Sequence, residues 1–143
     1  MSGWAATPLL AATVAASWQF NPLPVCTLWQ ELPNAEMRIT FDPVQRPPYA
    51  ITIETDQSWA EAPTFAIRFD GPRGLTITTD RHQVTNEGSK LTVTDDGFGN
   101  VLNGLEFNQT ATAISGASAL QFSLTGAAPK VQAFRACIEA PLA

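Results

Sequence analysis

At 143 residues, 45% of them hydrophobic and 15% charged against an average of roughly 25%, the chain is long enough to bury the core of one domain without metal or a dense disulfide framework. Six arginines and two lysines are scattered among thirteen acids, a formal charge of −5, so there is no positive track for nucleic acid or an anionic membrane to follow. Few charges, eleven prolines, nine glycines and many threonines suit strands and turns better than exposed helices. The expectation is an all-β or β-dominated domain, an antiparallel sandwich or barrel with a short C-terminal helix.

Residues 1–16 are small and apolar, and Val14-Ala15-Ala16 offers the small side chains that a signal peptidase requires, although no Lys or Arg precedes Arg38. Two readings stand: a trimmed signal peptide, or an N-terminal strand packed on the single domain formed by 17–143. Pro8 and the shortness of the segment argue against a transmembrane anchor.

Trp18 and Phe20 lead, past prolines 22 and 24, into an expected strand over 25–30 that carries Cys26, Leu28 and Trp29. Period-two alternation then marks three strands through Met37, Ile39 and Phe41, through Tyr49, Ile51 and Ile53, and through Phe65, Ile67 and Phe69. Each apolar set is interleaved with polar or small residues, as in an antiparallel sheet with one wet face. Turn chemistry separates the runs, and Asp70-Gly-Pro-Arg-Gly74 predicts a hairpin into a strand at Leu75 and Ile77. Asn86-Glu-Gly-Ser89 reads as the tip of the next turn, before a strand through Leu91 and Val93.

Asp95-Asp-Gly-Phe-Gly-Asn100 is read as a turn whose glycines open backbone conformations closed to other residues. Phe98 is expected to turn inward there, and Asp95 or Asp96 to cap a helical turn over Val101–Phe107. Thr110–Ser115 and Ala119–Thr125 predict a last hairpin around Gly116. Val131, Phe134, Cys137 and Ile138, at three- and four-residue spacing, predict an amphipathic helix over 129–138 that starts at Pro129 and turns Lys130 and Arg135 to water.

The two cysteines form no CxxC pattern, and a single His82 cannot complete a four-ligand zinc site. Two buried thiols or one disulfide remain, and a bond between Cys26 and Cys137 is the expectation. Closing a loop of roughly 100 residues stabilises by up to about 4.7 kcal/mol in the chain-entropy model, and it implies an oxidising compartment, periplasmic or secreted.

Residues that suggest chemistry are sparse. His82 lies in a polar stretch with no G-x-S-x-G serine to serve, and thirteen acids allow many carboxylate pairs without selecting one. The Asp95–Asn100 loop lacks the alternating order of a calcium loop, so neither metal nor cofactor is expected. Asn108-Gln-Thr110 has the form of a glycosylation acceptor. Trp18, Trp29, Tyr49 and Trp59, in or beside proline-rich loops, are the candidate binding residues, either as anchors on a rim or as filling for the ends of the β core. No residue is assigned a catalytic role.

The early Leu23-Pro-Val-Cys26, the run of alternating strands, and the ending Leu124-Thr-Gly126 with Ala133-Phe-Arg-Ala-Cys137 give a layout, across residues 23–137, that resembles the invasion-associated locus B family of small exported bacterial proteins. The resemblance implies a periplasmic or secreted β-domain without established enzymatic chemistry, and it carries over no functional residue. The expected function is a non-enzymatic exported domain that binds or scaffolds a cell-envelope protein or glycan. The alternative is a small hydrolase working through carboxylates or His82, and the content of a cleft separates the two.

Overall fold

The computed structural model describes residues 17–140, so both readings of residues 1–16 lie outside the described residues. Antiparallel pairing builds two sheets. One has the order β1 (Trp18–Asn21), β2 (Cys26–Leu32), β3 (Ala35–Phe41), β4 (Tyr49–Thr55), β8 (Lys90–Asp95), β7 (Gln83–Thr85); the other has the order β10 (Ser118–Ser123), β9 (Thr110–Ser115), β5 (Phe65–Asp70), β6 (Leu75–Thr79). Two helices, α1 (Gly99–Phe107) and α2 (Ala127–Glu139), accompany them, and the domain is the expected β-dominated sandwich with a C-terminal helix.

The alternating residues set the register. Leu28 faces Ile39, Ile39 faces Ile51 and Ile51 faces Val93 across the larger sheet, while Ile67 lies between Ile77 and Ala113 in the smaller. Met37, Ile39, Ile51, Ile53, Phe65, Ile67 and Phe69 are all buried, each such side chain contributing about 1.5–3 kcal/mol when taken fully from water. A one-residue slip would turn a whole strand's apolar set outward, which makes this register strongly preferred.

Both predicted hairpins form, β5 with β6 and β9 with β10. Two strands escape sequence reading. β1 pairs with β2 where only an extended entry was expected, and the three residues of β7, with Val84 as the one apolar side chain, are too few to show a period.

The edges of the sheets meet differently on the two sides. On one side Trp18 Nε1 and Gln30 Nε2 both donate to the carbonyl of Ser123, at 2.8 and 3.1 Å, tying β1 and β2 to the end of β10. On the other, residues 80–82 carry the chain from β6 to β7, and the sheets part.

α2 begins at Ala127, two residues before the expected start, after Gly126 in the left-handed region at φ 77°. Fully buried Ala127 belongs to the packed face with Val131 and Phe134, and Pro129 sits inside the first turn, where its missing N–H has no helical acceptor to lose. The helix packs on β1, β2 and α1, and its Cys137 is bonded to Cys26, with Cα atoms 6.0 Å apart. Arg135 is not turned wholly to water. Its Nε lies 2.9 Å from Glu106 Oε1, a bridge from α2 to α1.

The helical turn expected over 101–107 is a nine-residue helix that starts at Gly99. Neither aspartate caps it: the N-cap residue is Phe98, with no side-chain cap, and Asp95 Oδ1 accepts instead the N–H of Asp96 at 2.7 Å. The acids precede the helix start by too many residues to reach its N–H groups. Gly97 and Gly99 also adopt no positive φ, so the backbone freedom expected of them is unused. Phe98 does turn inward, with 5% of its surface exposed.

Candidate functional site

On the side where β6 and β8 separate, a cleft of about 430 Å³ opens between the sheets. Its existence follows from the shortness of β7, which pairs only with Lys90, Leu91 and Thr92 and leaves Val93–Asp95 of β8 without a strand on their outer side. β6 is likewise an edge strand, so two strand ends face each other across a gap.

The floor of the cleft is core: Ile51, Phe65, Ile67, Phe98 and Val101 all line it and are buried. Its walls are Ile77 from β6 and Val93 from β8, half-buried side chains on the inward face of their strands. Thr78, Thr79, Thr94 and Asn100 give a neutral polar rim, and Arg81 and Asp95 are the charged residues that line it. Gly97 and Gly99 border the cleft too, and a Cβ added at either would meet nothing within 4 Å. The volume falls in the usual range for a small-molecule site, and an apolar floor with a few polar groups at its mouth is the usual composition of one.

The structure disperses the four aromatic residues singled out in the sequence. Trp18 is buried at the β1 edge against Ser123. Trp29 pairs with Arg38 across β2 and β3, and that guanidinium lies 5.2 Å from its ring centroid. Tyr49 stacks between Phe41 and Phe98, at 4.9 and 5.3 Å between centroids. Trp59 is buried beyond the other end of β4, donating from Nε1 to the Ile53 carbonyl at 3.2 Å and meeting Phe65 edge-on. They make no common surface, and Trp18 and Trp59 fill the core. None of the four lines the cleft.

His82 is half-buried rather than exposed. Its Nε2 lies 3.1 Å from the Ala62 carbonyl and its ring 6.0 Å from that of Phe65, with no serine or carboxylate bonded to it. Asn108 is withdrawn from glycosylation, because its amide donates to the carbonyls of Arg73 and Gly104 at 3.0 Å and accepts from the Arg73 N–H at 2.9 Å. Among the described residues, no three His, Cys, Asp or Glu side chains come together to hold a metal ion, and no helix is long and apolar enough to cross a membrane.

Sequence reasoning missed the cleft, although its strands were expected. Ile77 and Val93 carry the same alternating signal as core residues, and only the positions of β6 and β8 at a gap tell them apart. Comparison with known proteins finds no family model, no curated protein and no solved structure that matches the chain.

Proposed function

We propose that the chain is a non-enzymatic, exported binding domain whose cleft between β6 and β8 holds a small, mainly apolar ligand. The observation that carries this reading is the pair Ile77 and Val93, left half-exposed above a buried floor in an open cleft of about 430 Å³. Apolar side chains at the mouth of a cavity gain by being covered, at about 25 cal/mol per Å² removed from water. Such a lining favours an apolar group over a glycan. The Cys26–Cys137 disulfide supports a periplasmic or secreted location, since such bonds persist in oxidising compartments. The family resemblance in layout points the same way.

The test is titration with the neutral, environment-sensitive dye 1-N-phenylnaphthylamine. Wild-type protein should enhance its fluorescence saturably, and Ile77→Asp, a substitution at a half-exposed position, should weaken binding about tenfold or more by placing a charge in the wall, with an unchanged circular dichroism spectrum. Equal dye binding by the two proteins, or none by either, would remove the cleft as the functional site.

A further inference from the structure

The rim of the cleft carries information about the ligand beyond its apolar character, and this inference rests on the cleft being the binding site. Among the described residues that line it, only Arg81 and Asp95 are charged. Arg81 comes from the crossing between β6 and β7, Asp95 from the last position of β8. Neither is neutralised by the protein. The ion pairs among the described residues join Glu36 to Arg38, Arg68 to Asp70 and Glu106 to Arg135. The backbone N–H of Arg81 donates to Thr79 Oγ1 at 3.1 Å, and the Asp95 carboxylate accepts the backbone N–H of its neighbour Asp96. Opposite charges therefore line one cleft without pairing.

A neutral ligand would leave both charges to water, and a singly charged one would pair with one of them only. We propose that the cleft takes a zwitterionic apolar molecule, of the class of a hydrophobic amino acid or dipeptide, with its ammonium on Asp95, its carboxylate on Arg81 and its side chains against Ile77, Val93 and the floor. A guanidinium presents a fork of donors matched to a carboxylate, and a carboxylate accepts from an ammonium, so each end of the ligand meets a charge-assisted hydrogen bond. Discrimination then comes from the two ends and affinity from the apolar middle.

The experiment is displacement of 1-N-phenylnaphthylamine by L-leucyl-L-phenylalanine, by its N-acetyl derivative and by its C-terminal amide, using wild type, Arg81→Gln and Asp95→Asn. Both positions are exposed, so both variants should fold. Wild type should prefer the free dipeptide about tenfold over either blocked form. Arg81→Gln should abolish the preference over the amide and keep that over the acetylated form, and Asp95→Asn should do the reverse. The proposal is overturned if the free dipeptide does not compete, if the blocked forms compete equally well, or if the preference is confined to one end. Those outcomes leave the apolar cleft standing as long as Ile77→Asp loses the dye, whereas failure of wild type to bind the dye removes both readings.

Discussion

Tyr49 is the single tyrosine of the chain, so its titration can be followed without interference. Its ring is held between Phe41 and Phe98, and burial, which disfavours the phenolate, raises its pKa above the ordinary tyrosine value. The folded state therefore binds this proton more tightly than the unfolded chain does. The resulting stability is fully present below the ordinary value of about 10 and is lost as pH rises through the higher folded value. Phenolate absorbance should accordingly show a midpoint above that of the urea-unfolded protein, and Tyr49→Phe should soften the fall in stability on the alkaline side. Coincident midpoints in folded and unfolded protein would contradict the packing of this ring. The alternation around Ile51 and Ile53 placed Tyr49 on the inward face, but nothing in it showed that Phe98, forty-nine residues later, would supply the second wall.

At the scale of elements, α1 depends on close approach. A Cβ at Gly104 would lie 2.6 Å from Cγ of Phe69, a ring with 1% of its surface exposed and little room to move aside. Alanine in a helix interior normally gains about 1 kcal/mol over glycine, and overpacking a tight core costs about 1–3 kcal/mol, so with a buried ring in the way Gly104→Ala should be destabilising, by up to about 2 kcal/mol in urea unfolding. Gly99→Ala, in open space at the helix start, serves as the control and should change stability little. An unchanged midpoint for Gly104→Ala would mean that the ring yields. A glycine inside the apolar stretch expected to form this helical turn was visible in the sequence, but not the reason for it. Contact with Phe69 explains the residue, and that contact joins elements thirty-five positions apart.

For the molecule as a whole, the Cys26–Cys137 bond joins the start of β2 to the last turn of α2 across a separation of 111 residues. Removing it through Cys26→Ala with Cys137→Ala should cost about 2–4 kcal/mol in urea unfolding, and the variant should stay folded, because Val131 and Phe134 remain buried and Arg135 still reaches Glu106. Identical unfolding midpoints with and without the bond would show that packing alone holds α2. The period-two runs, the turn residues between them and the three- and four-residue spacing after Pro129 were enough to determine a β-domain with a C-terminal helix, because periodicity and loop chemistry are local properties that each element carries in its own residues, whereas the cysteine count left two thiols or one disulfide. Which side chains line the cleft was decided by the tertiary structure alone. Ile77 and Val93 read as core in one dimension, and they line a cleft because β7 is too short to cover the end of β8 and β6 ends its sheet. Asp95 read as a helix cap, and it shares a rim with Arg81 only because the crossing from β6 to β7 carries that arginine to the same cleft.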